Sequence, residues 1–151
     1  MCEGFTDIEY QYCLEATEKL IENPLSSSFL RPVDPEHDNL PKYFEIVKEP
    51  MDLGTIKHNL ADRKYKSSSQ WRDDVMKVWD NSLKYNTKGI YKSISEKMRN
   101  TSLKLLKVIP KTETDLWYID LHEAAKELQS FLKLSPTSSG MSRSKSKKRI
   151  D

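Results

Sequence analysis

The chain has 151 residues, 36% hydrophobic and 32% charged, with a formal net charge of +2. This leaves room for one domain with a proper core plus a tail, and only four glycines argue against a many-turned β protein. No apolar run approaches the ~20 residues of a membrane span, and no charged-then-apolar signal segment opens the chain.

Cys2 and Cys13 form no patterned pair, so neither a disulfide framework nor a zinc site is indicated. A reducing compartment is the default expectation. Thr6-Asp7-Ile8-Glu9 reads as a capping box with Phe5 and Tyr10 at the staple positions. It opens a first helix that runs to about Glu22, with Cys13, Ala16 and Leu20 at helical spacing. Asn23-Pro24 stops it, and a polar link over Leu25–Ser28 leads to Phe29.

The next stretch, Pro32 to Ile56, sets the pattern for everything else. Pro32, Pro35, Pro41 and Pro50 forbid one continuous helix. Val33, Leu40, Tyr43, Phe44, Ile46, Val47 and Met51 nevertheless need a dry place. An ordered loop that packs on a helical scaffold and walls a pocket satisfies both demands. Asp52 caps a second helix that ends near Asp62. Ser67–Ser69 caps a third, whose inner face reads Trp71, Val75, Val78, Trp79, Ser82, Tyr85 and Asn86. After the Thr87-Lys88-Gly89 turn, Tyr91, Ile94, Ser95, Met98, Thr101, Ser102 and Leu105 line a fourth helix that runs to about Ile109, before Pro110.

Short links around four such helices predict an all-α, antiparallel four-helix bundle. A fifth, amphipathic helix is expected over Thr114–Leu134, with Trp117, Leu121, Ala124, Leu128 and Phe131 on one face. It either packs back on the bundle or docks on a partner protein. Residues 135–151 are rich in Ser, Lys and Arg and are expected to be disordered. Arg143, Lys145, Lys147, Lys148 and Arg149 face only Asp151 there, a net +4, so the rest of the chain carries −2.

The run Asn39-Leu40-Pro41-x-Tyr43-Phe44-x-Ile46-Val47-Lys48-x-Pro50-Met51-Asp52-Leu53-Gly54-Thr55-Ile56, with Pro32-Val33-Asp34 before it and Tyr85-Asn86 after it, resembles a bromodomain. The resemblance covers about Ile8 to Ile109 and implies a left-handed bundle with a pocket for acetyl-lysine. It places Asn86 as the donor to the acetyl carbonyl and Tyr43 as the loop tyrosine that holds the acetyl oxygen through water. Val33, Leu40 and Phe29 match apolar wall positions, Tyr85 precedes the asparagine at the slot, and Tyr91 matches the gatekeeper. Ser27-Ser28 stand where many members carry Trp-Pro. Asp38 stands at a position that is often apolar in tight readers, and Ser82 replaces a common cysteine. A wetter slot with a more acidic rim is the expectation.

The chemistry is coherent with that assignment. A neutral amide ligand needs an apolar slot and one well-held donor, since an unpaired buried carbonyl costs ~1–3 kcal/mol. Asparagine supplies the donor without a charge to desolvate. By itself, an Asn at a helix end is more often a C-cap than a ligand donor. No catalytic centre is readable, no cofactor is implied, and His37, His58 and His122 lack metal-ligand spacing.

The domain expectation is therefore residues 6–109 for the bundle, 110–134 for the added helix and 135–151 for the tail. The functional expectation is a non-enzymatic, nuclear reader of acetylated histone or other protein tails. The alternative is a degenerate bundle that serves as an assembly module through its fifth helix. A third reading, nucleic-acid binding led by the tail through Arg143, Lys145, Lys147, Lys148 and Arg149, is disfavoured by the mildly acidic body.

Overall fold

A computed structural model describes residues 4–134. Cys2 and the basic tail, with its expected disorder and the nucleic-acid contact considered for it, lie outside the described residues. Among the described residues the chain is all-helical: α1 (Asp7–Glu22), a 3-10 helix (Pro24–Phe29), α2 (Tyr43–Ile46), α3 (Leu53–Ala61), α4 (Ser68–Tyr85), α5 (Ile90–Leu106) and α6 (Glu113–Leu134). α1, α3, α4 and α5 form the antiparallel four-helix bundle. By contact the chain divides into two units, Met1–Asp115 and Leu116–Asp151.

The helix starts are set by side chains that cover backbone amides. Thr6 and Glu9 make the reciprocal capping box, at 3.0 and 3.1 Å. Phe5 meets Tyr10 edge to face at 5.9 Å, which closes the staple. Asp52 caps α3 through the Thr55 amide at 2.8 Å, and Ser67 caps α4 through the Gln70 amide. Thr112 caps α6 by accepting from the Asp115 amide, so that helix begins at Glu113, one residue before the expected Thr114.

The core is built from the inner faces of the bundle. Cys13, Ala16 and Leu20 of α1 meet Leu53, Ile56 and Leu60 of α3, Trp71, Val75, Val78 and Trp79 of α4, and Met98 and Leu106 of α5. Trp71 and Trp79 are fully buried; each contributes roughly 4–6 kcal/mol of gross hydrophobic stabilisation. Both indole N–H groups find hydroxyls, Trp71 on Thr17 at 2.9 Å and Trp79 on Ser102 at 2.7 Å. Neither tryptophan wastes its polar end.

Three further features differ from the sequence expectation. The link after Asn23-Pro24 is a 3-10 helix, because proline is tolerated in a first turn and the Asn23 side chain caps the Leu25 amide at 3.0 Å. The proline-rich loop contains one further helical turn, Tyr43–Ile46. α5 ends at Leu106 rather than Ile109, since the residue before Pro110 is biased away from helical geometry. The inner face of α5 accordingly buries Ser95, Met98, Ser102 and Leu106.

α6 is a 22-residue helix with no buried residue. Trp117, Tyr118, Leu121, Leu128 and Phe131 on it are exposed. His122 stacks on Tyr118, one turn before it.

Candidate functional site

The site begins with how the loop after the 3-10 helix is held. Asp34 accepts from the Glu36 and His37 amides, the side-chain turn that aspartate favours. Asn39 and Lys42 adopt left-handed backbone, with φ of 54° and 60°, and so reverse the chain on either side of Leu40 and Pro41. Lys42 lacks the local hydrogen-bonding side chain that makes this geometry cheap, at a cost of about 1 kcal/mol or more. The reversal turns Tyr43 into α2 and buries it.

The loop is then fastened to α4. The Tyr85 hydroxyl donates to the Pro41 carbonyl at 3.1 Å, and the Asn81 amide donates to the Glu49 carbonyl at 2.7 Å. Lys77 pairs with Glu49 at 2.9 Å. Tyr43 and Tyr85 lie ring against ring at 5.3 Å, and Phe29 rests edge-on against Trp79 at 5.1 Å. A buried tryptophan thus supports one wall.

Between this loop and the α4–α5 turn lies a cavity of about 330 Å³. Phe29, Val33, Leu40, Tyr43, Tyr85, Asn86 and Tyr91 all line it. Its volume falls in the range of small-molecule sites. The structure thus brings together the seven residues singled out from sequence. Tyr91 is about half exposed, at the mouth. Asn86 is the C-cap of α4: its backbone amide donates to the Ser82 carbonyl at 2.7 Å. Its side-chain Nδ2 donates to the same carbonyl at 3.1 Å and to the Ser82 hydroxyl at 3.2 Å. The helix-cap reading and the cavity reading of Asn86 are therefore compatible.

The expectation of an acidic rim needs correction. Asp38 does line the cavity, but it forms a two-point ion pair with Arg31, another lining residue. Asp38 also accepts from the Asp34 amide at 2.9 Å. That amide first, then the Arg31 guanidinium, hold its carboxyl below the usual carboxylate range. The second carboxylate at the cavity, Asp52, is buried and committed to the Thr55 amide and hydroxyl, at 2.8 and 2.6 Å. Asp38 is thus balanced by Arg31, whereas both donors on Asp52 are neutral. Arg31 carried no sequence signal, because its role depends on a contact seven residues away across a proline turn.

Ser27, Ser28, Met51, Val78 and Ser82 complete the lining. Among the described residues there is no cluster able to hold a metal ion, and no helix is long and apolar enough to cross a membrane.

Comparison with known proteins places this geometry. The family model described as "Bromodomain" matches residues 13–96, more than half of the chain. Bromodomain-containing factor 2 of Saccharomyces cerevisiae is 42% identical over 84 residues, which is 54% of this chain and 13% of that protein. The SWR1 complex bromodomain subunit bdf1 of Schizosaccharomyces pombe is 33% identical over 111 residues, 73% of this chain and 19% of that one. The chain thus spans less than a fifth of either relative. Among solved structures, the second bromodomain of Candida albicans Bdf1, bound to an imidazopyridine, superposes with a TM-score of 0.64 at 30% identity. That match covers 67% of this chain and 99% of the other.

Proposed function

The chain belongs to the bromodomain family, and from that premise we propose that its cavity binds the acetylated side chain of lysine in a protein tail, without catalysis. Asn86 donates to the acetyl carbonyl, and Tyr43 holds the same oxygen through water. Phe29, Val33, Leu40, Tyr85 and Tyr91 enclose the stem and methyl. The observation that carries this reading is an uncharged amide donor, Asn86, in a cavity walled by Phe29, Val33, Leu40, Met51 and Val78, where Asp38 is already paired with Arg31. An acetyl-lysine loses little by entering such a space. An unmodified ammonium would give up its hydration beside the Arg31 guanidinium, with the rim acid Asp38 already paired to it.

We propose acetylated histone or other protein tails as its ligands, and with them a nuclear role in chromatin or transcription. The name of the fission-yeast relative ties that protein to the SWR1 complex. For this chain we propose the same class of role, a recognition module that brings a regulatory assembly to acetylated chromatin.

Calorimetric titration tests it, with acetylated and unmodified forms of peptides chosen from a histone-peptide array. Wild-type protein binds the acetylated form only, and Asn86→Ala keeps the fold by circular dichroism but loses binding. Equal affinity for the two peptide forms, or undiminished affinity in Asn86→Ala, would sink the assignment.

A further inference from the structure

Beneath the cavity lies a hydroxyl pair that the acetyl-lysine reading does not use. Ser95 of α5, fully buried, donates from Oγ to Ser82 Oγ of α4 at 2.6 Å. Ser82 Oγ also accepts from Asn86 Nδ2 at 3.2 Å. A serine oxygen has two lone pairs and one proton. With both acceptor positions filled, the Ser82 proton is the one left to place. The opposite orientation, Ser82 donating to Ser95, would leave the spare proton on Ser95, which has no exposed surface. A buried donor without a partner is costly, and only Ser82 of the two lines the cavity. The proton therefore belongs on the cavity side.

Asn86 has a parallel constraint. Its Nδ2 lies within hydrogen-bond distance of both the carbonyl and the hydroxyl of Ser82. A ligand carbonyl that takes one of its hydrogens competes first with the hydroxyl, the longer contact. Ser82 Oγ thus keeps the Asn86 amide satisfied and aimed.

We propose that Ser82 is a second hydrogen-bond donor to the acyl carbonyl in this cavity, with Ser95 as the positioning residue that orients its proton. This rests on the acetyl-lysine reading and deepens it. The ligand class is an acyl-lysine whose carbonyl oxygen is a strong acceptor, met by two uncharged donors. A thioacyl-lysine, with a weaker acceptor of the same connectivity, should discriminate between packing and donation.

The test measures affinities for one histone peptide in its acetyl-lysine and thioacetyl-lysine forms, in the wild type and in Ser82→Ala, Ser82→Cys, Ser95→Ala and the double Ala variant. Ser82→Ala should lower acetyl-peptide affinity about five-fold, the worth of one neutral hydrogen bond, and lower thioacetyl-peptide affinity by less. The acetyl-to-thioacetyl ratio therefore shrinks. Ser82→Cys, a weaker donor of similar shape, should fall between. Ser95→Ala should give a smaller loss in the same direction and no further loss once Ser82 is Ala, because its effect passes through Ser82. A purely structural role lowers both affinities by the same factor, so an unchanged ratio in Ser82→Ala and Ser82→Cys overturns the second donor. An additive double variant overturns the positioning role of Ser95. Failure of the wild type to bind either peptide would overturn the acetyl-lysine reading along with this one.

Discussion

The Glu9 carboxylate accepts from the Thr6 amide at 3.0 Å and from the Ser68 hydroxyl at 2.9 Å, which joins the start of α1 to the start of α4. Burial alone would push its carboxyl up. The bonds from Thr6 and Ser68, with the charge of Lys111, outweigh burial and hold it below the usual range. A depressed folded-state value means stabilisation that is present above the ordinary carboxylate range and lost as pH falls through the lowered one. Glu9→Gln keeps the shape, with its amide oxygen on the Thr6 amide and its NH2 able to donate to the Ser68 hydroxyl, but removes the charge. It should cost about 1 kcal/mol in urea unfolding, the difference between charge-assisted and neutral hydrogen bonds, and its stability should fall less between neutral and acid pH. Superimposable acid transitions for the two proteins would refute the tie. Cys13 gives a companion expectation. Burial, then the Glu9 charge, push its thiol up to about 12, so a thiol reagent should label it only as the bundle unfolds. Labelling in native buffer faster than global unfolding would contradict that.

At the scale of elements, the caps and inner faces of α1, α3 and α4 were legible, because each is encoded within three or four residues of itself. Thr6-Glu9, Asp52 and Ser67 all cap as read, and Trp71, Val75, Val78, Trp79 and Ser82 are all buried. The 3-10 turn and α2 were not legible. Their prolines break the periodicity by which a helix is recognised, and α2 is a single turn set by a left-handed Lys42. Of the cavity, the loop motif and Tyr85-Asn86 could be read, whereas the Arg31–Asp38 and Ser82–Ser95 pairs exist only once the chain is folded. Gly54 shows how closely these elements are fitted. A Cβ on it would meet the Leu30 carbonyl at 2.3 Å, a backbone contact that no side-chain rotation relieves. Gly54→Ala should gain helix propensity yet lose net stability by about 1–3 kcal/mol. Because Phe29 and Arg31 flank Leu30 and line the cavity, acetyl-peptide affinity should fall as well. A variant with unchanged melting temperature and affinity would show that the loop yields without consequence.

For the whole molecule, charge is divided along the chain. The residues up to Leu134 carry −2 and residues 135–151 carry +4, so the cavity and the net positive charge belong to different parts of the sequence. A mildly acidic body suits a basic peptide tail, whereas Arg143, Lys145, Lys147, Lys148 and Arg149 suit phosphates. The two should act separately. Deleting residues 135–151 should lower nucleosome affinity at low salt and leave affinity for an isolated acetylated peptide unchanged. With five cations, the slope of log K against log salt should steepen by at most about 0.9 per neutralised phosphate. Phosphorylation of Ser142, Ser144 or Ser146 would add about −1.5 to −2 charge each and should flatten that slope toward the value of the deletion. Fluorescence anisotropy on nucleosomes, across a salt series with intact, truncated and phosphorylated protein, reads all three effects. Equal slopes for intact and truncated protein would remove the tail from nucleic-acid contact. Loss of peptide binding on truncation would instead make the tail part of the acyl-lysine site, and the division of labour would fail.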